Sequence, residues 1–295
     1  MKILVVANQK GGVAKTTTAV NLAAFLGDMG KNVLLIDLDP QANATSGIGI
    51  NKEEVSKSIY NALIGNEPIE SIILVSPTKG VSVAPANIAL VGAEVELVNS
   101  DRRELRLADS LSKIVSINQY DFVIIDTPPS LGLLTLNAFT AAQSVLIPMQ
   151  CEYYALEGLA QLYKTIQLVR QKTNPALHIE GLLFSMVDPR ANLTAQVMQE
   201  VKNILKDKVY DTVIPRNVRL AEAPSFGKSI LAYDKNSRGA EAYAKLAKEF
   251  LARSEKASSP LVGEEKGGGT VATSIPPSQP SPTRGEGEIP QEVSS

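Results

Sequence analysis

Short apolar runs rich in β-branched residues alternate with longer stretches of helical periodicity along residues 1–253. Such runs are typical of strands buried on both faces, and the stretches between them have the spacing of amphipathic helices. The pattern predicts strands over 3–7, 33–38, 81–85, 122–126, 144–148, 179–187 and 212–214. It predicts helices over 15–29, 88–117 with a break near Asn99, 132–142, 155–172, 192–206 and 237–252. This alternation predicts an α/β fold, in which helices flank both faces of a mostly parallel sheet.

The composition changes after Arg253, where the chain becomes rich in Ser, Pro, Gly and Glu and contains almost no large apolar residues. Such a segment cannot bury enough apolar surface to offset the conformational entropy lost on folding. We therefore predict a folded domain over 1–253 and a disordered tail over 254–295. The tail holds six acidic and three basic residues, which leaves the domain with 26 Lys plus Arg against 25 Asp plus Glu. Net charge therefore does not support binding to nucleic acid, and such binding would need a local basic patch.

The single cysteine, Cys151, and the single histidine, His178, limit the chemistry that the chain can carry. Zinc sites, His-based triads and cysteine-ligated clusters need several such residues, so catalysis must rely on Lys, Asp, Thr and backbone groups. The N-terminal residues run directly into a strand pattern instead of a signal peptide, and the longest apolar runs are too short to cross a bilayer. We therefore expect a cytoplasmic protein in which both residues are structural.

The sequence QKGGVAKTTT, residues 9–18, lies between a predicted strand and a predicted helix. This is the context of a phosphate-binding loop, in which glycines let backbone N–H groups face the phosphates and the helix N-terminus adds its positive end. Lys15 would reach the β- and γ-phosphates of ATP, Thr16 would bind Mg²⁺ and Thr17 would hydrogen-bond the α-phosphate. The predicted nucleotide-binding residues of this loop are Lys10, Gly11, Gly12, Val13, Ala14, Lys15, Thr16 and Thr17.

Two loop positions depart from the common pattern G-x-x-x-x-G-K-[ST], because Gln9 and Ala14 stand where it has glycine. An alanine fits at the start of a helix if its φ angle is negative, so we expect Ala14 to have that conformation and the loop to bind nucleotide. Ala14 leaves one alternative open, namely a nucleotide-gated scaffold that binds ATP with vanishing turnover.

Acidic residues follow two of the predicted strands at their carboxyl ends. Asp37 and Asp39 follow the run VLLI, and Asp126 follows the run FVII. Ligands of open α/β sheets bind at this edge, so the three carboxylates should converge on the phosphate loop. Asp126 has the position of a Walker B carboxylate, which holds Mg²⁺.

Three segments together resemble the ParA/Soj family of partition ATPases. KGGVAKTT resembles the deviant KGGxGKT loop of the superfamily that also includes MinD and the nitrogenase iron protein. DLDPQAN resembles the family's DxDPQxN segment, and PRNVRLAEAPSFGKSI resembles its segment PRNxxxxEAPSxGxP, with Ile230 in place of the last Pro. The resemblance covers nearly all of residues 1–253.

The resemblance implies catalytic roles for Lys10, Lys15 and Asp39. Lys10 would cross a dimer interface to the partner's nucleotide phosphates, and Asp39 would position the attacking water. Asp37 would lie near the metal, so the metal-site residues would be Thr16, Asp37 and Asp126.

The resemblance implies further roles in a conformational switch, in binding of the adenine base and in binding of DNA. Thr127 and Pro128 would form a second switch segment that responds to the γ-phosphate. The remaining roles that the resemblance implies are adenine contacts by Pro215 and Asn217 and contacts to DNA phosphates by Arg190 and Arg219.

The implied function is that of a Mg²⁺-dependent ATP hydrolase that forms an ATP-dependent homodimer, binds double-stranded DNA nonspecifically on the nucleoid and partitions DNA with a ParB-type partner. No helix-turn-helix segment precedes the loop, so we expect the short form of the family. The rival interpretation is a MinD-like ATPase that acts on a membrane or scaffold. Such a protein needs a basic amphipathic C-terminal helix, whereas the C-terminal residues here are acidic on balance and rich in Pro and Gly. A redox ATPase is excluded, because it needs two cluster-binding cysteines and only Cys151 exists.

Overall fold

Seven strands form one sheet in the computed structural model, which describes residues 1–152, 155–188, 190 and 192–258. The strands are β1 (Lys2–Val6), β2 (Val33–Asp37), β3 (Leu74–Val75), β4 (Val81–Ala84), β5 (Phe122–Asp126), β6 (Ser144–Met149) and β7 (His178–Phe184). Their order across the sheet is β3, β4, β2, β5, β1, β6 and β7. All neighbouring pairs are parallel except β3 with β4, which is antiparallel.

Eleven helices accompany this sheet in the described part of the chain. They are α1 (Lys15–Asp28), α2 (Asn43–Gly47), α3 (Ile59–Leu63), α4 (Leu90–Leu97), α5 (Arg106–Ile117), α6 (Leu133–Ala141), α7 (Ala155–Lys172), α8 (Asn192–Leu205), α9 (Val218–Glu222), α10 (Ile230–Tyr233) and α11 (Arg238–Ser258). Short 3₁₀ turns occupy Lys52–Glu54, Ile69–Ser71, Lys206–Lys208 and Ala223–Phe226.

The core has two layers because successive strand residues point to opposite faces of the sheet. In β5, Val123 and Ile125 pack with α3 to α7 on one face, whereas Ile124 packs with α1, α2 and α9 to α11 on the other. All three side chains are fully buried, and burial of each stabilises the fold by about 1.5–3 kcal/mol. Burial on both faces explains why these strands are uninterrupted apolar runs.

The strand register brings the acidic strand ends together. β5 lies between β1 and β2, and Asp126 is the register partner of Val6 in β1 and of Asp37 in β2. The carboxyl end of β1 leads into the loop before α1. The sheet therefore places this loop beside two carboxylates, at the edge where ligands of such sheets bind.

The structure confirms the predicted α/β fold and six of its seven predicted strands, with shifted ends. The predicted strand 212–214 is wrong, because the backbone N–H groups of Asp211 and Thr212 bond the Glu249 carboxylate, each at 2.9 Å. Pro215 has no backbone N–H group to donate, so the pairing of this segment with its neighbours is limited to isolated bridges. The sequence pattern also missed the two-residue strand β3, which is too short to show a period.

The predicted helix 88–117 is broken as expected, although the interruption extends from Val98 to Leu105 and includes Arg102 at φ 53°. Strand β7 ends at Phe184, before the predicted 187, because Met186 has a left-handed φ of 53°. Residues Met1–Lys256 form one compact unit, and α11 continues to Ser258, beyond its predicted end at 252. Residues 254–258 are thus helical, and the rest of the predicted tail, 259–295, lies outside the described residues, so its disorder and the end of the folded domain stay predictions. None of the described helices has the length and apolar composition needed to span a membrane.

Candidate nucleotide site

The loop between β1 and α1 has the open backbone that phosphate binding requires. Gly12 has φ 73°, and a β-carbon added there would meet no atom of the described residues within 4 Å. A β-carbon at Gly11 would meet only Pro129 at 3.9 Å. A left-handed conformation at Gly12 carries no steric cost, and the space around it lets a ligand approach the backbone closely.

Ala14 does not adopt the conformation that we expected from the sequence. Its φ is 66° and its ψ is 32°, which is left-handed, although it immediately precedes α1. The expectation of a negative φ is therefore wrong. The side chain of an L-residue in this region clashes with its own backbone, at a cost of roughly 1–2 kcal/mol. The loop holds this strained residue because its neighbours fix the turn.

Ala14→Gly should therefore stabilise the protein despite the greater freedom of glycine in the unfolded chain. Relief of the left-handed strain should exceed the entropic cost of about 0.5–1 kcal/mol, so we expect a net gain of up to about 1 kcal/mol. Thermal unfolding should show a melting temperature higher by about 2–4 °C. Ala19→Gly in the buried interior of α1 is the matched control and should lower it. A lower melting temperature for Ala14→Gly would show that the left-handed conformation of Ala14 is not strained.

Lys15 begins α1 and turns back over the loop. Its Nζ donates a hydrogen bond to the Lys10 carbonyl oxygen at 2.9 Å, and its side chain is buried. Burial lowers the pKa of Lys15, whereas the nearby carboxylates of Asp126 and Asp39 raise it in part. The ammonium thus lies inside a largely desolvated site, where its charge acts strongly on a bound anion.

Three carboxylates meet at the edge of the sheet next to Lys15. Asp126 Oδ2 accepts a hydrogen bond from Thr16 Oγ1 at 2.7 Å, and its Oδ1 is buried without a hydrogen-bond partner among the described residues. Asp37 accepts three bonds, from the N–H of Asp39 and from the N–H and hydroxyl of Thr45, at 3.1, 2.7 and 2.8 Å. The structure thus brings the three predicted metal-site residues together with Lys15 and Asp39, and Asp37 also holds the loop that carries Asp39.

Burial and mutual repulsion oppose ionisation of these carboxyl groups. Burial raises the pKa of Asp37 to about 6, although its hydrogen bonds from Thr45 and Asp39 counteract the shift. Burial and the charge of Asp37 raise the pKa of Asp126 well above its usual value, while Thr16 and Lys15 act in the opposite direction. The unpartnered Asp126 Oδ1 and the Thr16 hydroxyl are hard oxygen donors, the kind that Mg²⁺ prefers. The residues present therefore fit a magnesium ion.

Asp126→Asn should make the nucleotide-free protein more stable at pH 8. Because the folded-state pKa of Asp126 is raised, the fold carries a penalty that begins near the ordinary carboxyl pKa, grows as the pH rises towards the folded-state pKa and is constant above it. The penalty therefore shrinks as the pH falls. We expect a melting temperature higher by about 2–4 °C at pH 8, with a smaller difference near pH 4.5. Asp101→Asn, at an exposed position, should change little at either pH. An equal loss of stability at both pH values would show that Asp126 is not under this electrostatic strain.

Lys10 points away from Lys15. Its Nζ forms an ion pair with Glu152 in the segment after β6, and both side chains are about half exposed. Its backbone N–H bonds Asn8 Oδ1 at 3.0 Å. Lys10 therefore contributes its carbonyl oxygen to Lys15 and its ammonium to the surface of the chain.

Sequence analysis missed several side chains that fix the loop. Gln150 Nε2 donates to the Gly12 carbonyl oxygen at 2.7 Å, and Ser185 Oγ donates to that of Val13 at 2.9 Å. Thr127, a predicted switch residue, donates from its Oγ1 to the carbonyl oxygen of Val6 at the end of β1 at 3.0 Å. Gln150 and Ser185 directly follow β6 and β7, so a polar residue at a strand end was the available signal.

The segment predicted to contact adenine is held by its own hydrogen bonds. Asn217 is the N-cap of α9, and its Oδ1 accepts from the Leu220 N–H at 3.3 Å. Pro215 forms the isolated bridge with Val187. The Asn217 amide oxygen thus already accepts one hydrogen bond from its own helix, and the adenine role of both residues stays a prediction.

The two arginines predicted to contact DNA are exposed. Arg190 donates its backbone N–H to Asp188 Oδ1 at 3.0 Å. Arg219 forms ion pairs with Glu222 at 3.0 Å and Asp234 at 3.6 Å. A DNA phosphate at Arg219 would therefore compete with two carboxylates.

In this chain a strand leads through a glycine-containing loop into a helix, and a buried lysine and acidic strand ends lie beside that loop. This arrangement defines the P-loop class of nucleotide-binding proteins. A family model described as an AAA domain matches residues 1–179. Soj of Bacillus subtilis (strain 168), a sporulation initiation inhibitor protein, is 56% identical over 251 residues, which are 85% of this chain and 98% of the relative. The chromosome partitioning protein ParA of Myxococcus xanthus is 53% identical over 252 residues, covering 85% and 88%. The chain belongs to the ParA/Soj family of partitioning ATPases.

Solved structures share this fold together with bound nucleotide. Cobyrinic acid a,c-diamide synthase from Mycobacterium smegmatis, with a bound ATP analogue and magnesium, has a TM-score of 0.75 and 37% identity, covering 87% of this chain and 97% of that one. The septum site-determining protein MinD from Pyrococcus horikoshii, with Mg-ADP, has a TM-score of 0.69 and 24% identity, covering 85% and 97%. The latter likeness concerns the fold alone.

Proposed function

We propose that this protein is a Mg²⁺-dependent ATPase that dimerises when it binds ATP, binds double-stranded DNA nonspecifically as a dimer and partitions a chromosome or plasmid with a ParB-type partner. The observation that carries the proposal is the meeting of Lys15, the Thr16–Asp126 pair and Asp39 at one edge of the sheet. Members of its family are named for chromosome partitioning. We also propose that it acts in the cytoplasm, on the nucleoid.

Each site residue has a part in this proposal that its geometry permits. Thr16 Oγ1 and Asp126 would hold Mg²⁺, whose chemistry is to neutralise charge on the phosphate oxygens. Lys15 would bind the β- and γ-phosphates, since its ammonium is desolvated and its counter-ions are nearby carboxylates. Asp39, whose Oδ1 accepts from the Gln41 N–H at 2.9 Å, would orient the water that attacks the γ-phosphorus.

The position of Lys10 supports dimerisation. Its ammonium is displaced from its own phosphate loop towards Glu152 and is accessible from outside. An open groove beside it is lined by Gln9, Lys10, Pro129, Ser130, Leu131, Glu157, Gly158 and Gln161. A second copy seated over this groove would receive Lys10 near its own phosphates, which would couple assembly to stabilisation of charge during phosphoryl transfer.

Membrane binding by α11 is disfavoured as the alternative. The apolar residues Tyr243, Leu246 and Phe250 of this helix are fully buried against the sheet. A membrane-surface helix needs such a face exposed to lipid. A MinD-like cycle through α11 would therefore require the helix to leave the core.

The test of the proposal follows DNA binding and dimer mass in the same samples, without nucleotide, with ADP and with a slowly hydrolysed ATP analogue. Dimers and DNA binding should appear together, only with the analogue, and ATP turnover should require Mg²⁺. Dimers that never bind DNA would contradict the proposed DNA binding. They would favour a protein scaffold as the surface on which the ATPase acts. Absence of turnover with normal nucleotide binding would favour the nucleotide-gated scaffold.

Arg219→Glu should keep the ATP-dependent dimer but weaken DNA binding by more than about tenfold, because one phosphate contact per subunit is replaced by repulsion. The slope of log affinity against log salt should fall by about 2 for the dimer. Arg102→Glu is the matched control, since this exposed arginine lies next to α5, which packs on the opposite face of the sheet. Equal losses in both variants would mean that net charge alone determines binding.

A further inference from the structure

Helix α4 presents apolar side chains to solvent along one face. Ile88, Val91, Val95 and Val98 are exposed by 72%, 56%, 72% and 51%. The backbone is helical across all four, because the N–H of Val91 bonds the Ile88 carbonyl oxygen and Val98 keeps helical dihedrals. Residues spaced by three and four positions lie on one side of a helix. We call these four residues the α4 stripe.

The other side of α4 is apolar as well. Leu90, Ala93 and Leu97 are fully buried against α3, α5 and α6 in the core. The outward face of a surface helix is ordinarily polar, whereas α4 exposes four large apolar side chains on the side away from its buried residues. A contiguous exposed patch of this kind marks an interaction site.

The charges around the stripe indicate the chemistry of its partner. Residues 80–101 contain no lysine or arginine, and their exposed acidic residues are Glu96, which accepts a hydrogen bond from the Tyr60 hydroxyl at 3.0 Å, and Asp101. The third acidic residue, Glu94, turns its carboxylate inward, so Glu96 and Asp101 supply the negative charge beside the stripe. The next basic residues, Arg102 and Arg103, are already paired with Asp109 and Glu104. An apolar strip with acidic flanks is complementary to an apolar strip with basic flanks.

Two occupants from this chain fit less well. A second copy in a two-fold contact would place the same patch against itself, so its acidic flanks would repel. Residues 254–295 are also acidic on balance and contain almost no large apolar side chains. We propose that the α4 stripe is the docking surface for an amphipathic helix of a partner protein, with an apolar face flanked by lysine or arginine.

A contact between α4 and the start of α6 links the α4 stripe to the nucleotide site. Glu94 of α4 lies against Gly132, the N-cap of α6, so closely that a β-carbon at Gly132 would be 2.2 Å from Glu94 Oε1. The segment ending at Gly132 begins directly after Asp126. A partner that moved α4 would therefore displace the segment containing Thr127, which would let it change ATP turnover. This coupling rests on the proposed function, whereas the docking surface does not.

The test uses a labelled peptide of about 18 residues with leucines at helical spacing and lysines at all other positions, and full-length protein without nucleotide. Fluorescence anisotropy should detect binding that weakens at least about tenfold in a Val91→Ser/Val95→Ser variant. Val115→Ser on α5 is the matched control, because Val115 is exposed outside the stripe, and it should not change affinity. Glu96→Lys should weaken binding mainly at low salt.

Three results would overturn the docking surface. They are equal affinity in the stripe variant and the control, equal binding of a leucine–glutamate peptide, and loss of self-association in the stripe variant, which would assign the stripe to a second copy. Val95→Lys provides a second stripe variant, because lysine favours helix more than serine does and separates lost contacts from a weakened helix. Anisotropy needs no turnover, so failure of the proposed ATPase would not be mistaken for failure of the docking surface.

Discussion

Lys15→Ala is expected to weaken ATP binding by more than about 100-fold. Hydrogen bonds to charged groups contribute about 1.5–3 kcal/mol each, and Lys15 would make such bonds to two phosphates from a desolvated position. The affinity can be measured by calorimetry with Mg·ATP, and circular dichroism would verify that the variant is folded.

Lys10→Ala is the matched control for this experiment. It removes a lysine of the same loop whose ammonium is held by Glu152, away from the site that Lys15 occupies. The isolated subunit should therefore retain its ATP affinity within a few-fold, while dimer formation is lost. If Lys10→Ala weakened ATP binding as much as Lys15→Ala did, the proposed division of roles between the two lysines would be wrong.

Asp39→Ala should bind ATP with near-normal affinity but hydrolyse it about 10²–10³-fold more slowly, because the attacking water loses the carboxylate that orients it. The ATP-bound dimer should then persist on DNA. Single-turnover hydrolysis and the rate of DNA release measure the two effects separately.

Asp39→Asn distinguishes chemistry from loop structure. The amide keeps an acceptor for the Gln41 N–H, which the alanine variant loses, but it cannot take a proton from water. We expect both variants to be equally slow. Normal turnover in Asp39→Asn would leave Asp39 with a purely structural role in the turn that it caps.

The convergence of Asp37 and Asp126 could be predicted because the feature that produces it is local. Apolar runs that end in an acidic residue place that residue at the carboxyl edge of a parallel sheet, whatever else the chain does. The observed register confirms that Asp37 and Asp126 are direct neighbours. The further statement that they serve a metal stays a prediction.

The predictions that were wrong concern residues whose conformation depends on distant partners. Residues 212–214 have the composition of a strand, yet the two carboxylate oxygens of Glu249 take the N–H groups of Asp211 and Thr212 that a ladder would need. Ala14 favours a negative φ by itself, yet it is left-handed in a loop held by Gln150 and Ser185. In both cases tertiary hydrogen bonds outweigh the local preference.

The sequence by itself determined the α/β fold, the phosphate loop and the acidic strand ends of this protein, because hydrophobic period and motif spacing act over a few neighbouring residues. Only the tertiary structure decided that Lys10 pairs with Glu152, that Arg219 also reaches Asp234, and that the described residues leave one face of α4 uncovered. These contacts join residues far apart in the chain or depend on which side of a helix meets the core. No local pattern encodes them, because an exposed valine and a buried valine are the same letter in the sequence.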